Sequence, residues 1–334
     1  MMKKKEVKKE TISKFDGDLP FVSVIVPVYN AERYIDGLID SLLQVEYPKD
    51  RIEFIIVDNN SRDRTREIIR QYPVILLEEK QIQSSYAARN CGIRAARGEI
   101  LAFTDADCNV TPRWVLEGVG TILEEKADLV GGEVEFVFSS RKTTAELYDS
   151  VTHLQVQRAI DQANVAPTAN LFVKASLFEK IGPFPDWVAS GGDVQWTSLA
   201  TEHGFSLKHA AKAVVRHPTR PLKELLKKRF RVGTGLIYVW LQSGRSIPRI
   251  IYCIIRPLFP PRLSYVRKQV KNYGSPDLRQ RTMRVWFIAY LCNFTTILGL
   301  LTSLPRFRKD QLPSPRTILR RPVEDSGPFI GTVT

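Results

Sequence analysis

The sequence predicts an α/β protein: a mainly parallel, twisted sheet flanked by helices, continued by a C-terminal helical region that meets a membrane. Two observations carry this. Apolar, β-branched runs alternate with amphipathic stretches through the first hundred residues, and such alternation builds βαβ units around a parallel sheet. The charge is also divided: residues 216–334 hold 23 Lys and Arg against 5 Asp and Glu, a net +18, whereas residues 1–215 hold 26 against 31, a net −5. A basic third joined to a mildly acidic body calls for an anionic partner.

The elements follow in order. Phe21–Asn30 is a run dominated by Val and Ile, as in a strand buried on both faces. Ile35, Leu38, Ile39, Leu42 and Leu43 form one stripe of a helix over Ala31–Gln44. The cycle repeats with a strand at Glu53–Val57 and a helix near Arg62–Gln71, then a strand at Val74–Leu77 and a helix near Ser84–Arg97. A further strand, Ile100–Thr104, is followed at once by Asp105-Ala106-Asp107. Alternation along the chain puts the two aspartates on one side, and hard carboxylate oxygens suit Mg²⁺ or Mn²⁺.

In parallel sheets ligands gather at the carboxyl ends of the strands. Tyr29-Asn30, Asp58-Asn59 and Asp105/Asp107 all fall there, so three polar clusters from separate strands converge on one crevice. No G-x-G-x-x-G follows the first strand and no G-x-x-x-x-G-K-[ST] occurs, which argues against a dinucleotide fold site and a P-loop.

The basic third contains Val285–Pro305, a run without charge bracketed by Arg284 and Arg306. It is long enough to span a bilayer, and a re-entrant or interfacial helix remains open beside a spanning one. Upstream, Ile250–Pro261 mixes aliphatic and aromatic residues with Arg249, Arg256 and Arg262, a composition suited to the headgroup layer. Lipid headgroups are therefore the expected anionic partner, not nucleic acid. Cys91, Cys108, Cys253 and Cys292 have neither metal-ligand nor disulfide spacing and read as reduced cytosolic thiols. Met1–Lys14 lacks an apolar stretch and reads as a frayed tail, not a secretory signal. The expected organisation is a basic tail over 1–19, a catalytic domain over 20–235, a membrane-associated helical region over 236–305 and a basic, Pro-rich tail over 306–334.

Several ordered motifs between Phe21 and Gly235 resemble the family 2 glycosyltransferases. Val24–Asn30 resembles the family's opening strand; Ser41–Gln44 with Tyr47-Pro48, then Ile56–Thr65, resembles the second strand and its loop; Ala88–Ile93, Gly98–Ile100 and Asp105-Ala106-Asp107 complete the nucleotide half. Pro167–Val173, Phe178–Phe184 and Gly191–Trp196 resemble the acceptor half, which ends in the catalytic carboxylate. The resemblance implies the Rossmann-like GT-A fold and inverting transfer from a nucleotide-diphosphate sugar, with UDP-sugars first, to a lipid-linked or polysaccharide acceptor. The basic, apolar C-terminal third is expected to hold the catalytic domain at a membrane, on its cytoplasmic side.

By the same resemblance, Pro27, Tyr29 and Asp58 line the base pocket, Asn30 belongs to that site, and Arg89 and Asn90 lie beside the nucleotide. Asp58 is suited to accept the imide N–H of uracil, and Arg89 to neutralise phosphate. Asp107 is implied as the direct metal ligand, with Asp105 supporting it through water or the ribose, and Asp193 as the base. His217 matches a terminal Val-x-His and is implied as a third metal or diphosphate contact, although a lone His is more often structural. Arg229 and Arg231 are candidates to close over the diphosphate; their alternative is a solvated or lipid-facing helix surface. Asp193 has a bland reading too, as N-cap of a helix over Val194–Thr201.

Two features depart from the family pattern. Asp58-Asn59 stands where two aspartates are common, and Gly192-Asp193 where Glu-Asp is usual. A Gln-x-x-Arg-Trp box is absent, which favours addition of one or few sugars over polymerisation. Two alternatives stay open: a polyprenyl-phosphate sugar synthase of the same fold, and a catalytically silent nucleotide-sugar-binding scaffold.

Overall fold

The structure is a computed structural model that describes residues 19–242 and 246–304. The predicted terminal tails lie outside the described residues, apart from Leu19. Eight strands form one sheet: β1 (Val22–Val28), β2 (Ile52–Asp58), β3 (Ile75–Glu78), β4 (Ile100–Thr104), β5 (Asn109–Val110), β6 (Leu129–Val137), β7 (Asn170–Lys174) and β8 (Leu207–Pro218), in the spatial order β3-β2-β1-β4-β7-β6-β8-β5. The sheet is mixed. β1 to β4 are mutually parallel where they pair, β7 runs antiparallel between β4 and β6, β8 is parallel to β6, and β5 is antiparallel to β8.

Why β1 and β2 take the middle of the parallel half is visible in their composition. Every residue of both is buried, which only near-continuous apolar runs tolerate. β8, by contrast, alternates buried and exposed positions because one of its faces is open. The reversed strand β7 has a consequence for the site. Its first residue, Asn170, pairs with Thr104 at the carboxyl end of β4, so the Thr168 loop enters the same rim as Asp105 and Asp107. β8 runs parallel to β6, pairing Phe136 with His217, and so delivers His217 there too.

An aromatic cluster underlies the rim. Phe103 of β4 meets Phe184 edge-on at 5.5 Å between centroids, and Phe178 stacks on Trp196 at 4.5 Å. Trp196 belongs to the helix Gly192–Glu202, so this packing fixes the helix that carries Asp193.

A second core joins five helices: Thr144–Thr152, Leu222–Gln242, Leu263–Tyr273, Pro276–Gln280 and Thr282–Ser303. Leu222–Gln242 passes unbroken through residue 235, where the sequence pattern ended the catalytic domain. It packs along Thr282–Ser303 at backbone distance: a Cβ on Gly233 would lie 2.0 Å from the Thr296 carbonyl oxygen, and one on Gly299 2.0 Å from that of Phe230. Glycine at these two points permits the crossing. Thr282–Ser303 is the one helix among the described residues long and apolar enough to cross a membrane, and half of its apolar stretch is buried within the protein.

Candidate active site

The rim opens into a cavity of about 770 Å³. Its walls include Pro27, Tyr29, Asn30, Arg89, Asp105, Asp107, Asp193, Arg229 and Arg231, so most of the residues singled out from the sequence share one space. Asp58, Asn90 and His217 do not line it, and each has a different reason.

Asp58 is fully buried; its Oδ2 accepts the Ser61 amide at 3.0 Å and lies 3.8 Å from Arg66 Nε, while Oδ1 has no partner. Asn90 is buried because its amide clamps the Phe184 backbone, donating to the carbonyl at 2.8 Å and accepting the amide at 3.0 Å. It therefore orders the aromatic cluster. Asn30 takes a left-handed φ of 48°, a conformation Asn tolerates, and accepts the Arg62 amide at 2.8 Å, holding the second strand's loop against the first. Asn59 donates to the carbonyls of Glu79 at 3.0 Å and Ile82 at 2.8 Å. A second aspartate at this position would have no proton for either bond.

The two aspartates after β4 are each matched by an arginine. Arg89 is buried and pairs with Asp105. Asp107 lies 3.4 Å from His217 Nε2 and 3.6 Å from Arg220. His217 is fully buried, and its Nδ1 stands 2.6 Å from the Pro218 carbonyl. A carbonyl only accepts, so Nδ1 carries the proton and the Nε2 lone pair faces Asp107 and Arg220, whose Nη2 lies 3.0 Å away. Burial holds the imidazole below its usual range against the pull of Asp107. Asp107, His217 and the buried thiol of Cys108 lie within 4.8 Å of one another. Burial, with Asp107 and Asp105 adding to it, pushes that thiol well up, so the ligands this cluster offers are the Asp107 carboxylate and the His217 imidazole. This donor set fits a divalent cation of the Mg²⁺ or Mn²⁺ type, with His217 oriented by its carbonyl bond.

Asp193 sits in the first turn of its helix, whose N-cap is Gly191 in a left-handed conformation. The capping role is therefore excluded. Its carboxylate instead bonds to other segments: Oδ1 accepts Tyr86 Oη–H at 2.9 Å, and Oδ2 accepts the Thr168 amide at 3.0 Å and hydroxyl at 3.2 Å. Burial and then the Asp193 charge push the Tyr86 phenol up, keeping it a donor. Gly192 donates its amide to the same phenol oxygen at 3.0 Å. Any side chain at 192 would meet Val188 at 2.8 Å and Tyr86 at 3.0 Å, so glycine before Asp193 is a packing requirement here.

Sequence patterns missed Tyr86, Thr168, Arg220 and Asp149. Asp149 is fully buried and accepts the Arg220 amide at 3.1 Å and its guanidinium at 3.4 Å. It thereby aims Arg220 at Asp107. No local motif marks it: it is one acid in an ordinary helix, Thr144–Thr152.

Residues 23–181 match the family described as Glycosyl transferase family 2. The glycosyltransferase AglE of Haloferax volcanii is 42% identical over 297 residues, covering 86% of this chain and 97% of that one. The probable glycosyltransferase YdaM of Bacillus subtilis is 26% identical over 242 residues, covering 67% of this chain and 57% of the relative. Among solved structures, the mannosyltransferase PcManGT of Pyrobaculum calidifontis, in complex with GDP-Man and Mn²⁺, superposes with a TM-score of 0.52 at 19% identity, over 93% of this chain and 84% of that one. The parallel half-sheet, the paired aspartates at its rim and these matches agree: the chain has the GT-A fold and belongs to the family 2 glycosyltransferases.

Proposed function

We propose that this enzyme transfers a sugar from a nucleoside diphosphate donor, a UDP-sugar first among them, to a hydroxyl of a lipid-linked or polysaccharide acceptor, with inversion and with a divalent cation. The observation that carries the reading is the position of Asp193. Its carboxylate is held by three donors and shares the cavity with the Asp105/Asp107 pair. A base for the incoming hydroxyl and a seat for the departing diphosphate thus face one space.

The roles divide as follows. Tyr29 and Pro27 flank the nucleobase, and Asp58, buried beside them, orders the loop that follows β2 through the Ser61 amide. Asp105, Asp107 and His217 would hold Mn²⁺ or Mg²⁺, which when bound would supply positive charge for the leaving diphosphate. Arg89 keeps Asp105 in place, and Arg220, steered by Asp149, adds positive charge beside Asp107. Asp193 takes the acceptor proton, while Tyr86 and Thr168 fix its orientation.

Membrane attachment is part of the reading. Met283, Phe287, Phe294, Leu298 and Leu301 are exposed along one side of Thr282–Ser303, whereas Val285, Ile288, Cys292, Thr296 and Leu300 are buried along the other. Ile247, Ile251, Tyr252 and Ile255 are exposed on the neighbouring helix Ile247–Ile255. With one side covered by the catalytic domain, the apolar helix offers lipid only its other side, which favours an interfacial seat over a spanning one.

The test is a donor screen. A panel of nucleotide sugars is incubated with enzyme and membrane acceptor, and released nucleoside diphosphate is measured with Mn²⁺, Mg²⁺ or excess EDTA. Turnover with one donor, lost in EDTA and in Asp107→Ala, is expected; undiminished turnover in EDTA overturns the metal assignment, and silence with every donor favours the scaffold alternative.

A further inference from the structure

We propose that Arg220 is a switch on the cation site: its guanidinium holds the His217 lone pair until cation and nucleotide arrive together, then turns to the diphosphate. The inference rests on the glycosyl-transfer reading and adds the order in which that site is assembled.

The His217 imidazole has one lone pair to give. Its Nδ1 stands 2.6 Å from the Pro218 carbonyl oxygen and carries the proton, which leaves Nε2 an acceptor only. Arg220 Nη2 lies 3.0 Å from Nε2, and a guanidinium only donates. A divalent cation ligated by His217 needs the same lone pair. One electron pair cannot serve both, so cation and Arg220 exclude each other at Nε2.

The surroundings explain why an arginine stands there. Asp107 Oδ2 is 3.4 Å from Nε2, and with the ring proton on Nδ1 both atoms are acceptors. Such a pair repels unless positive charge joins it, and Arg220 Nη2, 3.6 Å from Asp107 Oδ2, supplies that charge. The ring itself is held. Phe136 and His153 meet it edge-on at 6.0 and 5.8 Å between centroids. The backbone before Arg220 is held too: Thr219 donates its amide at 2.9 Å and its hydroxyl at 3.1 Å to the Val137 carbonyl, and the Arg220 amide donates to Asp149 at 3.1 Å.

What can move is the Arg220 side chain. It lines the cavity, is 18% exposed, and its Nη1 bond to Asp149 Oδ2 is long at 3.4 Å. Diphosphate oxygens in that cavity are better acceptors for a guanidinium than a neutral imidazole, because both partners are then charged. A cation entering alone breaks the bond to His217 and leaves Arg220 beside a second positive charge. A cation entering with a nucleoside diphosphate breaks the same bond and offers a stronger one. The two ligands therefore bind cooperatively, and Arg220 couples them.

The experiment reads the imidazole nitrogen directly, by electron spin echo spectroscopy of bound Mn²⁺. Full-length wild type, Arg220→Gln and His217→Gln are each saturated with Mn²⁺ alone and with Mn²⁺ plus UDP or GDP, and Mn²⁺ affinity is measured alongside. In wild type the nitrogen coupling should be weak with Mn²⁺ alone and strong once nucleotide is added. In Arg220→Gln it should be strong in both states, with Mn²⁺ alone bound about tenfold tighter than by wild type. His217→Gln should show none. Loss of any nearby positive charge would tighten Mn²⁺, but only release of the lone pair restores the nitrogen signal. Equal coupling in wild type with and without nucleotide overturns the switch, and that comparison needs no variant. Absence of coupling from every wild-type sample overturns it as well, since His217 then ligates nothing. If neither nucleotide binds, the donor reading fails, and wild type against Arg220→Gln in Mn²⁺ alone still decides the switch: stronger coupling in the variant supports it and equal coupling overturns it.

Discussion

The donor end of the cavity and its helical end are assembled by different rules. At the donor end, Tyr29, Asp105 and Asp107 follow directly on strands, so a parallel sheet brings together residues that are distant in sequence but each adjacent to a recognisable apolar run. At the helical end, Tyr148, Asp149, Lys228 and Arg229 come from two helices whose local sequences look like ordinary amphipathic surface. They come together only because Thr282–Ser303 and its neighbours close a second core over them. The contrast teaches that the C-terminal helices wall the cavity as well as packing on one another.

The largest effect that would test this division is chemical. Asp193→Asn keeps the shape of the cage but removes the base, so kcat should fall by about 10²–10⁴ while nucleotide-sugar affinity stays within several-fold. Steady-state kinetics with direct donor binding checks it; normal turnover would move the base elsewhere. Next is the crossing that joins the two regions. Gly299→Ala places a methyl 2.0 Å from the Phe230 carbonyl oxygen and should cost about 3 kcal/mol in urea unfolding. A neutral result would mean that the two helices move apart freely and that the helical wall is not rigid.

A smaller change probes the outer side of that wall. Phe287→Ser combined with Phe294→Ser removes two exposed rings and should reduce binding to anionic vesicles by roughly tenfold or more, since burying a Phe is worth about 1.5–3 kcal/mol. Unchanged sedimentation with the vesicles would return the attachment to the arginines alone. Tyr86→Phe, which deletes one donor to Asp193, should lower kcat about tenfold with little change in donor KM.

The mildest test is of pH. Glu146 closes a capping box with Thr143 and also accepts from Ser139 and Thr219, tying the Asp149 helix to the end of β8. Burial opposes its ionisation, but the hydrogen bonds from Thr143 and Ser139 bring its pKa down to about 2 from 4.5. A lowered folded-state value adds stability above the unfolded value and loses it as pH falls through the folded one. The stability difference between wild type and Glu146→Ala should thus be full at pH 7 and shrink between about 4.5 and about 2, followed by thermal melting. A difference constant with pH would show that Glu146 acts through packing alone.

What the sequence determined by itself was everything carried by local periodicity and strand-end motifs. The order β1 to β4, the rim holding Tyr29, Asp105 and Asp107, and the length and apolarity of 285–305 were legible because each depends on residues within a few positions. Only the tertiary structure decided what side chains at that rim do. It clamped Asn90 to the Phe184 backbone, showed Asn59 and Gly192 to be packing and hydrogen-bonding requirements, and bonded the Asp193 carboxylate to Tyr86 and Thr168. It also recruited Arg220 through Asp149 and covered half of the apolar helix with protein. Each of these depends on pairs 20 to more than 100 residues apart, brought together by the sheet topology and by helix packing. No window of local sequence contains both partners.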